Sequence, residues 1–590
     1  DFQRAKGFLT NNDFLKAKEC LDRSIRDAPD VADFYYLRGH VAAVLNDPDP
    51  AIRDLTKAIN SGYDYADAHF YLAMALSNVT RNTESIAHYE IALEKEPKWA
   101  QAMINLAHLK LWYGAEDAAV DLLRKAIQIE PAFSMPHQNL AARYERASYK
   151  PTALDLEGRR ELLLYDAYNF AAERALHVGM GNYKGVRLWT RALQIQKEIA
   201  RDFSLPEEIV AVLKKIPGID WTRPFRILPY EWVTQIGHIG MLDTYYKIQA
   251  LGWRPAANLL LLAPKKKVVN RAYLAEWAKY FHIISDEKLV DALFPYQRYI
   301  GDCFNAYLLE DGTGVSWPDM GARAHIAWDE QHRPPLLTLS EQHVEKGRAM
   351  LESMGMTRNA WFACLHNREG GFHRESIASI QGHRNATITD YLPAVRLIVD
   401  HGGWVVRMGD PTMTPLPLME HVIDYAHSPT RRDWMDIFLC GAARFFIGTT
   451  SGLINAVISF RTPCVLVNCV SNFSQLWNEK VLFALKLFWS EREQRYLKLP
   501  EITNDPIRSR IFNIRTLNDL GVVPINNSPG EILSTVAELM EELEHPAEAS
   551  DRRKTSVGVR AWEATMRNNS FFGGGRPSRK FMDQHSSILL

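Results

Sequence analysis

The sequence predicts an all-α array of helical repeats followed by two doubly wound, Rossmann-like α/β domains. Two observations carry that prediction. Small residues and turn residues recur every 34 positions through the first 140 residues. From Phe225 onward the texture changes, and short apolar runs alternate with helical stretches. A third observation gives the α/β part its centre. Asp433–Asn468 reads as helix, buried strand, polar turn, helix and buried strand, with the turn GTTSG at Gly448–Gly452.

A chain of 590 residues is too long for one core. Its 47% hydrophobic and 24% charged residues describe an ordinary globular protein, and a net charge of −1 argues against a nucleic-acid partner. No apolar run approaches the roughly 20 residues of a membrane span. The six cysteines, at 20, 303, 364, 440, 464 and 469, have no metal-ligand spacing. Cys464 and Cys469 bracket a predicted strand and read as buried thiols in a reducing, cytoplasmic setting. No signal peptide is read, and because the chain begins at Asp1 rather than Met, residues are expected to precede it.

The repeats come first in the chain. Pro29, Tyr63, Pro97 and Pro131 are 34 apart. So are Ala17, Ala51, Ser85 and Ala119, then Ser24, Ala58, Ala92 and Ala126, then Gly39, Ala73, Ala107 and Ala141. Small residues let paired helices approach closely, and the proline ends the second helix of each pair. That is the tetratricopeptide signature, and it implies protein–protein contacts. Gly185 and Ala192 within Asn182–Ala200 look like a degenerate last pair, giving a repeat domain over 1–205 and a linker over 206–224.

The first α/β domain is expected over 225–345. FRILPY and NLLLLAP read as strands, and YLAEWAKYF as a helix. In QIGHIGM, Gly237 and Gly240 suit a tight turn that places His238 at the sheet edge, where an imidazole can act as general base. The segment DGTGVSWPDMGARAHIAWDEQHRPP reads as irregular. The second domain is expected over 346–548. WFACLH ends in His366, Asn367 and Arg368, and arginine at a strand end suits a pyrophosphate. WVVRMGD carries Arg407, and VIDYAHSP carries Asp424. The turn residues Thr449, Thr450, Ser451 and Gly452 open a helix whose free N–H groups favour an anion. FSQLWNEKVLFALKLFWS and NSPGEILSTVAELMEEL read as closing helices. The tail, 549–590, has eight Lys/Arg against two Asp/Glu between 551 and 580 and reads as disordered and basic, solvated or touching a membrane surface. Two such α/β domains in tandem, with a cleft between them, make a GT-B architecture.

The span from about 225 to 545 resembles bacterial GT-B glycosyltransferases of surface-carbohydrate biosynthesis. The resemblance rests on H-N-R after the first strand of the second sheet and on the R-M-G-D, I-D-Y-A and F-I-G-T-x-S-G-L segments. The donor half is similar to fucosyltransferase-type enzymes, and repeats joined to GT-B resemble protein O-GlcNAc and flagellin-modifying transferases. The resemblance implies a nucleotide diphospho-sugar co-substrate, with Arg368 on its pyrophosphate, His366 beside the nucleotide, Thr450 and Ser451 on phosphate, and Asp424 near the base or ribose. EGGFHRE after Arg368 departs from the fucosyltransferase pattern, which leaves the sugar open. The acceptor would be a protein or a surface glycan. The only D-x-D, Asp47–Asp49, falls between repeat helices and reads as a turn, so no metal and no bound cofactor are expected. Two alternatives stand beside this reading: a non-catalytic repeat scaffold or adaptor with a degenerate α/β part, and a sugar-nucleotide epimerase.

Overall fold

The computed structural model describes residues 1–590 except 11–12, 131–135, 137–138, 141–188, 198–202, 303–305, 310, 371–381, 471–477, 505, 512–513 and 567–572. The chain divides into two compact units, Asp1–Arg174 and Ala175–Leu590.

The first unit is a solenoid of helix pairs: α1 (Phe2–Thr10), α2 (Phe14–Asp27), α3 (Ala32–Val44), α4 (Pro48–Asn60), α5 (Ala66–Asn78), α6 (Asn82–Lys95), α7 (Ala100–Trp112) and α8 (Glu116–Ile129). The small-residue columns are buried over their described residues, as their spacing predicts. Ala17, Ala51, Ser85 and Ala119 are fully buried. Ser85 Oγ donates to the Ala73 carbonyl at 2.7 Å. A Cβ on Gly39 would lie 2.7 Å from Leu55 Cγ. Buried Asp54 accepts two bonds from Arg38, at 2.6 and 3.0 Å, and Arg38 also reaches Asp22 at 2.7 Å, tying α2, α3 and α4 together. Pro131, Ala141 and Gly185 lie outside the described residues.

The second unit begins earlier than expected. Gln196 bonds the Gln297 carbonyl at 3.0 Å and Gln194 the Gly312 carbonyl at 3.3 Å, so Trp189–Lys197 pack on the α/β part. The expected linker is also structured. Its helix Glu207–Leu213 contributes Ile209 and Leu213 to a core beneath the first sheet. That sheet holds β1 (Phe225–Leu228), β2 (Asn258–Leu262) and β3 (His282–Ile284), parallel and in that order. In β2, Leu260 and Leu262 face this small core while Leu259 and Leu261 face the main one, which explains a strand without polar alternation. The hairpin β4 (Ala306–Leu308) and β5 (Gly314–Ser316) runs into a helix, Trp317–Glu330, where an irregular segment was expected. Ser316 caps it by accepting from Asp319 N, and a proline sits in its first turn.

The second sheet has seven parallel strands. Six are β6 (Phe362–His366), β7 (Trp404–Arg407), β8 (Val422–Ile423), β9 (Phe445–Gly448), β10 (Cys464–Cys469) and β11 (Val481–Leu485). A small antiparallel sheet of β12 (Leu487–Ser490), β13 (Arg495–Tyr496) and β14 (Val522–Ile525) follows, and β15 (Arg576–Pro577) returns to complete the large one. The closing helix expected over FSQLWNEKVLFALKLFWS is instead β11 and β12 over its described residues. VLFAL is fully buried, as a central parallel strand requires. The strand order is β15-β11-β10-β9-β6-β7-β8. The chain thus winds outward from β6 to β8, then crosses back to β9 and winds the other way. The reversal lies between β6 and β9. A single apolar core spans both large-unit sheets, within the compact unit Ala175–Leu590.

The tail is not disordered over its described residues. β15 pairs with β11, and the helix Arg579–Leu589 buries Phe581, Met582 and Leu589. Val559, Trp562 and Met566 are buried from the helix before it. Apolar residues at helical spacing decide the outcome, not the charge count.

Candidate functional site

The strand ends at the reversal point form the crevice where open parallel sheets take ligands. β6 and β9 run in register, His366 opposite Gly448. Beyond them the backbones are stitched together: Thr449 N donates to the His366 carbonyl at 3.3 Å, and Arg368 N donates to Thr449 Oγ1 at 3.0 Å. Ser451 Oγ lies 3.3 Å from His366 Nδ1. The structure therefore brings His366, Arg368, Thr449, Thr450 and Ser451 together, all of them buried.

Arg407 and Asp424 belong to a neighbouring brace. Arg407 is fully buried; Nη1 reaches Asp424 at 3.3 Å, and Nη2 reaches Glu369 at 3.4 Å and the Thr414 carbonyl at 3.1 Å. Asp424 also accepts from Leu416 N at 2.9 Å and lies 2.9 Å from His427 Nδ1. This set of bonds locks the ends of β6, β7 and β8.

Gly237 and Gly240 do not form a tight turn. They lie in the helix Ile236–Gly240 and permit its close packing on the helix Leu453–Ser459. A Cβ on Gly237 would lie 2.8 Å from Gly452 Cα, and one on Gly240 2.5 Å from Asn455 Cβ. Asn455 Nδ2 donates to the Gly237 carbonyl at 2.8 Å. Gly452 thus serves this backbone contact, which carries His238 to the same edge. His238 Nδ1 is 2.8 Å from the Glu231 carbonyl. A carbonyl only accepts, so Nδ1 carries the proton and Nε2 is the basic nitrogen of the neutral ring. Burial pushes the His238 pKa down.

Three residues that sequence reasoning missed complete the site. Arg384 Nε and Nη2 donate to the Thr450 carbonyl at 3.1 and 2.8 Å. Lys486 Nζ donates to the carbonyls of His383 at 2.7 Å and Asn385 at 3.0 Å, and to Asn526 Oδ1 at 2.6 Å. His383 is buried, and among the described residues its Nδ1 has no hydrogen-bond partner. Burial lowers the Arg368 pKa to about 10. Burial and then repulsion from Arg368 lower that of Arg384 to about 9. Burial brings Lys486 to about 8. His366 falls to about 4 through burial and Arg407, and His383 to about 3 through burial and the Arg384 and Lys486 charges. Near neutrality both rings are uncharged, and among the described residues Arg368, Arg384 and Lys486 carry positive charge at the site, with Arg407 behind them. A lone Lys inside the apolar run VLFALKLFWS was the signal available for Lys486; Arg384 offered none.

The tetratricopeptide repeat family matches residues 2–58. The matched helices are α1 to α4, and the 34-residue columns continue beyond them. The solenoid is built of tetratricopeptide repeats. No curated protein matches the chain. Among solved structures, a crystal structure of MamA is 20% identical over 29% of this chain and 96% of its own, with a TM-score of 0.25. YrrB, titled a TPR protein with an unusual peptide-binding site, is 23% identical over 22% of this chain and 68% of its own, TM-score 0.21. MamA from Desulfovibrio magneticus RS-1 is 16% identical over 22% of this chain and 74% of its own, TM-score 0.21. Tetratricopeptide repeats are a protein-interaction module. Among the described residues no helix is long and apolar enough to cross a membrane.

Proposed function

We propose that the α/β unit transfers a sugar from a nucleotide diphospho-sugar to a protein or glycan acceptor, and that the repeats hold that acceptor or a partner. One observation supports this most: Arg384 grips the Thr450 carbonyl close to Arg368, and Lys486 holds the His383 and Asn385 carbonyls on either side of Arg384, so three cations converge beside the reversal point. Converging cations suit a multiply charged anion, and a pyrophosphate is such a group.

In this reading β6–β11 form the donor half and β1–β3 the acceptor half of a GT-B-like arrangement. Arg368 and Arg384 hold the leaving pyrophosphate, with Thr449, Thr450 and Ser451 beneath it. An acceptor hydroxyl attacks the anomeric carbon, and its proton passes to His238 Nε2. The bond from that carbon to the phosphate oxygen breaks, and the nucleoside diphosphate leaves with the electron pair. Fixed cations stabilise the charge as it develops. Arg407 and Asp424 then act by holding the strand ends in place. Such a transferase would need no metal or bound cofactor.

The test is a melting-temperature screen against a panel of sugar nucleotides, followed by calorimetry on those that stabilise. Stabilisation by at least one, lost in Arg368→Ala, is the expected result. A second reading, a repeat adaptor with a non-catalytic α/β unit, draws support from the tight Gly237–Gly452 contact. It predicts that no sugar nucleotide shifts the melting temperature.

A further inference from the structure

The solenoid carries a groove of its own, which bears on the partner-holding role proposed for the repeats and not on the donor site. A groove of about 730 Å³ lies at the turns between helix pairs, lined by Tyr63, Tyr65, Asp67, Glu96, Trp99 and Glu130 among others. Its key positions follow the repeat. Tyr65 and Trp99 are 34 residues apart and immediately precede α5 and α7. Glu96 and Glu130 are also 34 apart and immediately follow α6 and α8.

The aromatic walls are held by their neighbours. Tyr63 stacks on Tyr36 with centroids 4.2 Å apart and meets Tyr65 edge-on at 4.8 Å. Trp99 stacks on Phe70 at 4.4 Å. Tyr65 remains 62% exposed, so its ring is available to a ligand. The charges are unequal. Lys95 is spent on Asp64 at 2.9 Å, and Asp64 is also 2.8 Å from His69 Nε2. That leaves Lys98 against the carboxylates of Asp67, Glu96 and Glu130. Residues 1–130 as a whole hold 15 Lys and Arg against 20 Asp and Glu.

Aromatic faces and surplus carboxylates both attract cations, and the two together select a basic side chain over a neutral or acidic one. We infer that this groove captures an extended, arginine- or lysine-bearing segment of a partner protein. The groove's volume is that of a site for a few residues of peptide.

The test uses the full chain and a short fluorescein-labelled peptide of alternating Gly and Arg, read by fluorescence anisotropy. Saturable binding that weakens with salt is expected, with no binding of the matching Gly–Glu peptide. Tyr65→Ala should weaken it about fivefold to tenfold. The exposed pair Glu96→Gln with Glu130→Gln should weaken it about as much, and Lys98→Ala should tighten it. Circular dichroism confirms that each variant is folded. Absence of binding, equal binding of the acidic peptide, or unchanged affinity in the folded Tyr65→Ala and Glu96→Gln/Glu130→Gln variants would overturn the proposal. Sugar-nucleotide binding, measured on the same variants, should not change, which keeps failure here distinct from failure of the transferase reading.

Discussion

Arg384 closes on the backbone of Thr450: Nε and Nη2 share one carbonyl oxygen at 3.1 and 2.8 Å. A guanidinium has five N–H donors, and this grip leads only two of them to the turn. The turn that looked like a self-sufficient anion seat is thus held by a cation from a separate loop. The helix it opens has seven residues, and the charge beside it matters more than its dipole.

Arg384→Ala should therefore weaken sugar-nucleotide binding by about tenfold to a hundredfold, the range for a lost charge-assisted hydrogen bond. Arg384→Lys should recover part of this, because a point charge replaces the fork. Calorimetry measures both. Unchanged affinity in Arg384→Ala would remove this residue from the donor site.

Lys486 gives a pH dependence with two signs. Its pKa is pushed down to about 8, against an ordinary 10.5. A bound dianion restores the proton, so binding near pH 8.5 should take up protons, and affinity should fall as pH rises through about 8. Calorimetry in buffers of different ionisation enthalpy reads that uptake. Stability runs the other way. Between about 8 and 10.5 the unfolded chain keeps a proton that folded Lys486 has lost, so this residue's contribution to stability rises with pH. Lys486→Met should abolish both effects.

Gly237→Ala should destabilise the α/β unit by about 1–3 kcal/mol, because the new Cβ meets a backbone that has no side chain to move aside. The neighbour is Gly452 Cα at 2.8 Å. Gly7, inside α1 with nothing within 4 Å of its Cβ position, is the control. Gly7→Ala should stabilise by about 0.5–1 kcal/mol. Urea unfolding followed by far-ultraviolet circular dichroism measures both.

The parts of this molecule legible in sequence are those where one local rule decides. Ala51 and Ser85 announce their burial because the 34-residue period repeats one packing contact. Phe445–Gly448 followed by Thr449–Ser451 is readable because run length and turn chemistry agree. Arg368 was readable from its place after a strand. Arg384 was not, since its value comes from where a loop lands. The buried group of Asp243, Lys247 and His325 was equally hidden, with Lys247 Nζ 2.6 Å and His325 Nε2 3.0 Å from Asp243 Oδ2. Its members come from two helices, one of them expected to be irregular, and a buried charge carries no mark until its partner is placed. Gly237 and Gly240 misled for a related reason. Glycine permits both a turn and a close approach, and only the partner Gly452 tells them apart.

The last prediction concerns the tail. Composition alone would make residues 576–590 dispensable, yet Pro577 pairs with Phe483 and Ser578 N donates to the Phe483 carbonyl at 2.7 Å. Buried Glu538 accepts from Ser578 Oγ at 2.7 Å, Arg579 N at 2.8 Å and Lys580 N at 3.1 Å. Ending the chain at Gly575 would expose the edge of β11 and leave that carboxylate buried without its donors. Each of Phe581, Met582 and Leu589 also contributes about 1.5–3 kcal/mol by burial. The shortened chain should melt well below the parent and aggregate through the freed edge. Differential scanning calorimetry and light scattering would read this, and an unchanged melting temperature would mean that the tail is no part of the sheet's stability. Glu538→Gln is the milder companion. It keeps one acceptor oxygen but loses the charge, and should lower the melting temperature by a few degrees without aggregation.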